Sequence, residues 1–111
     1  ADKLMESVLN AVQREDMKKH ESFVMKSQSG KVFLIRKGHH GNIDELDPVT
    51  GKVIETWCIY PALPAGTVPA GDSVVAQKLM LECDEDLFRK VANRHSPRQA
   101  VVSKDRIEAV L

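Results

Sequence analysis

The sequence predicts a single α+β domain: an antiparallel sheet of about five strands, an N-terminal amphipathic helix and short C-terminal helices. Three observations predict it. A stripe of apolar residues at helical spacing opens the chain. Two turn signals, "SQSG" and "DPVTGK", each lie between β-prone runs. A second region of helix caps and basic residues lies after residue 83. A small, partly closed β-barrel with attached helices is the alternative architecture.

Residues 2–19 supply the first helix. Leu4, Met5, Val8, Leu9 and Val12 recur at the three-to-four spacing of one helical face. Lys18, Lys19 and His20 suit the negative end of its dipole. Residues 22–37 read as a hairpin closed at Gly30, and "KVFLI" is dense enough in β-branched and aromatic residues to be central. Residues 43–60 read as a second hairpin. Pro48, Gly51 and the side chains of Asp47 and Thr50 provide its turn chemistry. In "KVIETWCIY", alternation places Val53, Trp57 and Ile59 on one face and Ile54, Cys58 and Tyr60 on the other, so both faces are apolar. "SGKV" and "TGKV" mark two similar turns, not a repeat architecture.

"PALPAGTVPAG", residues 61–71, is a loop, because three prolines and two glycines exclude helix and ladder pairing. It contains a formal PxxP, "PALP", a pattern common by chance. Residues 73–83 read as the fifth strand. "DEDLFRKVANR" reads as a short helix capped by Asp84. "HSPRQ" signals another helix start, with Ser96 as cap, Pro97 first and Gln99 closing a box. The remainder leans to helix.

Composition narrows the function. The 111 residues hold 42% hydrophobic and 29% charged residues, an ordinary globular mixture. Sixteen basic and sixteen acidic residues give zero formal charge, which lowers the expectation of a dedicated nucleic-acid binder. Cys58 and Cys83 sit in separate apolar runs and are expected to be buried thiols in a cytoplasmic protein. No segment spans a bilayer, and the N-terminus does not read as a signal peptide.

"KGHHGNIDEL", residues 37–46, carries the most chemistry-bearing letters. His39 or His40 beside Asp44 would form an acid–base pair. Adjacent residues on extended backbone point to opposite sides, however, and the other candidate ligands His20, His95, Cys58 and Cys83 are scattered. A turn between Gly38 and Gly41 explains the stretch without metal or catalysis. No cofactor is expected. GxGxxG, GxxxxGK[ST] and GxSxG are all missing.

The expected function is therefore a non-catalytic protein-binding or regulatory module, self-association as a homodimer included. Trp57, Ile59, Tyr60 and Leu63 are its candidate contact residues. A nucleic-acid-binding accessory protein is the first alternative, through Arg89, Lys90, Arg94, Arg98 and Arg106 on a crude helix-turn-helix outline. A small enzyme or metal protein centred on His39 and His40 is the second.

Overall fold

The computed structural model describes residues 7–38, 41–59 and 70–111. In chain order the elements are α1 (Ala11–His20), β1 (Ser22–Lys26), β2 (Val32–Arg36), β3 (Ile43–Leu46), β4 (Val53–Cys58), α2 (Ala70–Cys83), α3 (Glu85–Val91), β5 (Asn93–His95) and α4 (Lys104–Glu108). The five strands form one antiparallel sheet in the order β1-β2-β3-β4-β5. The sheet is open, with β1 and β5 at its margins, so the α+β expectation holds and the barrel does not.

Both hairpins fall where the turn signals place them. Val24 faces Leu34 across the first, and Ile43 faces Trp57 across the second. Asp47 Oδ1 accepts from the N–H groups of Val49 and Thr50 at 2.8 and 3.2 Å, the local capture that residue type provides in turns. Gly51 then takes φ +76°.

The sheet is buried on both faces, as unbroken apolar runs in β1 and β2 require. Phe23, Met25, Phe33, Ile35, Ile43 and Trp57 pack beneath Val74 and Leu81 of α2 and Phe88 of α3. On the opposite face, Val24, Val32, Leu34, Leu46 and Val53 are covered by Val102 and Ile107 of the C-terminal segment. A register shift at Glu45/Leu46 pairs Leu46 with Val53 and Glu45 with Glu55. The extra residue in β4 is a bulge at Ile54. It puts Val53 on the face opposite Trp57, correcting the simple alternation expected, and leaves Ile54 45% exposed.

The helices depart from expectation in three places. Residues 7 and 8 are helical, but the chain breaks at Leu9. It restarts after Asn10, whose side chain accepts from Gln13 N while Gln13 returns the bond to the Asn10 N–H. The break turns Gln13 and Met17 inward and Val12 outward. Leu4 and Met5 of the expected stripe lie outside the described residues.

Residues 73–83, expected as a strand, belong to α2. Val74, Gln77, Lys78 and Leu81 are buried at helical spacing. Two polar residues occupy that stripe, which hides its period from a hydropathy reading. Asn42 and Gln77 exchange side-chain hydrogen bonds at 2.8 and 3.2 Å, and Lys78 Nζ donates to Val8 O and Glu82. The fifth strand is instead Asn93–His95, within the segment expected to be helical.

Asp84 caps α3 as expected, accepting from Leu87 N at 3.2 Å. "HSPRQ", by contrast, starts no helix. The Arg98 N–H donates to Thr56 Oγ1 at 2.9 Å and Val53 N–H donates to Ala100 O at 3.1 Å, so this stretch is held along β4. Long-range bonds override the local capping signal. The last helix, α4, begins only after Ser103.

Gly51 fixes how the C-terminal segment approaches. A Cβ there would lie 2.1 Å from Val102 O, a backbone atom. Gly51→Ala is expected to lower stability by at least about 2 kcal/mol, from the left-handed backbone plus the clash. Chemical denaturation measures this, and a neutral substitution would mean that the segment does not seat against the turn.

Candidate functional site

The ionisable groups at the sheet form three arginine–carboxylate clusters. Asp44 on β3 is fully buried. Its carboxylate accepts from Arg36 Nε at 3.0 Å, from Arg98 Nε and a terminal nitrogen at 3.1 and 2.9 Å, and from Thr56 Oγ1 at 2.9 Å. Arg36 also donates to Gly41 O. Two guanidinium groups and a hydroxyl occupy this carboxylate, which is how a buried charge is made tolerable. The expected partner, His39 or His40, lies outside the described residues.

The second cluster joins α3 to the first hairpin. Glu85 accepts from Ser29 N at 2.8 Å and Ser29 Oγ at 3.0 Å, and Arg89 bridges Glu85 at 3.0 Å and Glu45 at 3.2 Å. Burial alone would push the Glu85 carboxyl upward. Hydrogen bonds from Ser27, Ser29 and Arg89 outweigh burial and hold it down to about 2. Burial likewise acts to lower Arg89, but Glu85 and Glu45 prevail and raise it above its ordinary value.

Because the folded value lies below the unfolded one, Glu85 stabilises the fold above about pH 4.3. That contribution fades as pH falls toward about 2. Glu85→Gln is expected to cost on the order of 2–3 kcal/mol at neutral pH, with the two stability curves converging near pH 2. Parallel curves from pH 2 to 6 in urea titrations would show that the carboxylate is not held this way.

The third cluster ties the two ends of the described chain. Asp16 on α1 receives Arg106 of α4 bidentately at 2.7 and 3.0 Å and caps the Val24 N–H on the outer edge of β1 at 3.2 Å. Arg106 also donates to Ser22 O and Oγ. An edge strand is thereby covered by its own chain.

The expected contact residues separate. Trp57 is only 5% exposed, set edge-on to Phe88 at 5.6 Å with Arg89 and Arg94 stacked over it at 5.6 and 5.3 Å. Its indole N–H has no hydrogen-bond partner among the described residues, nor has Glu55 Oε2. Ile59 is half-buried against the same core, and Tyr60 and Leu63 lie outside the described residues.

Of the five expected phosphate-contacting cations, Arg89, Arg98 and Arg106 are spent on Glu45 and Glu85, Asp44 and Asp16. Lys90 and Arg94 remain exposed, Arg94 standing 3.6 Å from Glu55. The helix-turn-helix outline is replaced by α3, β5 and α4. Both cysteines are thiols. Cys58 is buried, and Cys83 is exposed, contrary to expectation. Among the described residues, no three His, Cys, Asp or Glu side chains converge as a metal site, and no helix is long and apolar enough to cross a membrane.

The surface feature missed by the sequence reading is the outer margin beside β4. Lys52 bridges to Val101, and Val102 N–H donates to Gly51 O at 2.8 Å. Residues 93–95 and 100–102 thus flank β4 with a four-residue arch between them. Ile54, Pro97, Ala100 and Val101 line an open groove of about 960 Å³ together with Lys52 and Arg98. Only the β4 bulge exposes Ile54, and a bulge leaves little trace in one sequence.

No protein-family model matches the chain, and neither a curated protein nor a solved structure matches it.

Proposed function

We propose that this chain is a non-catalytic protein-binding module acting in the cytoplasm. One observation carries the reading: the apolar margin at Ile54 and Val101, which are 45% and 70% exposed. Exposed apolar surface rimmed by polar groups marks interaction sites. The arginine–carboxylate clusters support it indirectly, since Asp44, Glu85 and Asp16 are occupied in holding elements together. Trp57 contributes as core beneath Arg94 rather than as a contact.

Self-association through this margin is the less favoured form, because two copies would bring their Lys52 and Arg94 charges together. The nucleic-acid alternative has less to stand on, with three of its five cations engaged by carboxylates.

Affinity capture from host extract, with each prey then purified and titrated against the chain, tests the reading. A reconstituted complex of micromolar or tighter Kd is expected. A chain that stays monomeric by light scattering at all concentrations and reconstitutes with no protein would refute it.

A further inference from the structure

We infer that the outer margin, residues 93–101, accepts an extended acidic peptide as an added strand. This rests on the protein-binding reading and names its surface and ligand. Ala100 C=O and Val102 N–H both point at β4, to Val53 and Gly51. Strand geometry alternates, so the N–H and C=O of Val101 point away from β4. β5 is likewise a margin strand, and all three of its residues are exposed. A margin of this kind is a template for another strand, and pockets beside it read alternate side chains.

The groove is such a pocket. Its wall is Ile54, Pro97, Ala100 and Val101, and its charged lining is Lys52 and Arg98, with no acid among its lining residues. Residues 93–104, "NRHSPRQAVVSK", contain Arg94, Arg98 and Lys104 and no carboxylate. Asp44 holds the Arg98 head, Glu108 stands 3.9 Å from Lys104 and Glu55 stands 3.6 Å from Arg94, so Lys52 is the cation on this margin that no carboxylate among the described residues engages, with the exposed Arg94 only loosely opposed beside it. Cations on an edge repel a second copy and attract an acidic strand. A nucleic-acid strand would use the same cations, but it does not present the alternating N–H and C=O groups that pair in register with both the N–H and the C=O of Val101, and the peptide is therefore favoured.

The test selects peptides from a displayed library of random dodecamers on the immobilised full chain, then measures affinity by fluorescence anisotropy. Enriched sequences are expected to alternate apolar residues with Asp or Glu. Val101→Glu lies on an exposed side chain and is expected to weaken them at least about tenfold with unchanged circular dichroism. N-methylation of alternate peptide residues is expected to weaken binding about tenfold in one phase and hardly at all in the other, the signature of strand addition. No enrichment, or affinity indifferent to both changes, overturns the inference. So does tighter binding of a labelled oligothymidine that is itself lost in Val101→Glu. If a purified prey still binds Val101→Glu at full strength, this surface is refuted while the protein-binding reading stands.

Discussion

Asp44→Ala is expected to unfold the protein about 3–5 kcal/mol more easily than wild type, a drop in Tm of roughly 12–20 °C. The carboxylate is wholly buried and serves Arg36, Arg98 and Thr56 at once. Removing it leaves two guanidinium groups facing each other beside a hydroxyl whose proton has lost its acceptor, and both the repulsion and the lost bonds count against the folded state. Asp44→Asn keeps the shape and one acceptor, so it is expected to fall between alanine and wild type. Removing Arg98 as well relieves part of the repulsion. Asp44→Ala/Arg98→Ala is therefore expected to be less destabilised than the sum of its single changes. Urea midpoints of wild type, Asp44→Ala, Arg98→Ala and the double variant settle the matter; strict additivity would mean that the two side chains do not act as a unit.

Phe88→Ala is expected to cost a similar amount, about 3–5 kcal/mol. The ring is fully buried between the sheet and α2, edge-on to Phe33 at 5.8 Å and to Trp57 at 5.6 Å. Its loss opens a cavity under Arg89, which stacks on both remaining rings. Because Trp57 is the sole tryptophan, its emission reports the site directly. A red shift is expected in Phe88→Ala, and Phe88→Leu, which refills part of the space, should retain most of the stability. An unchanged spectrum with a large loss of stability would place the damage elsewhere.

Sequence legibility followed the range of the interactions. The two hairpins were readable because their turns are written locally, in Asp47, Thr50, Gly30 and Gly51. Asp84 was readable for the same reason, since it caps the residues beside it. Helix α2 is not legible in the sequence because Gln77 and Lys78 are buried only in company with Asn42, Val8 and Glu82, and no window around residue 77 contains the first two. The strand at Asn93–His95 and the arch after it depend on Thr56 and Asp44, some forty to fifty residues earlier. The exposed groove was hidden for a related reason, because the bulge at Ile54 exists only once β4 has paired with β3. Trp57 and Arg98 looked available as letters and are occupied as side chains.

The cover of the sheet's second face has a bearing on how the protein is made. Val24, Leu34, Leu46 and Val53 leave the ribosome well before Val102 and Ile107, the residues that shield them. For as long as some fifty residues take to be added, a four-stranded assembly would present an oily side to the cell. Arg106 then arrives to grip Asp16, and α4 fastens onto α1. Synthesis of this chain should therefore lean on a holding chaperone, and a ribosome stalled between residues 60 and 100 should carry an aggregation-prone nascent product.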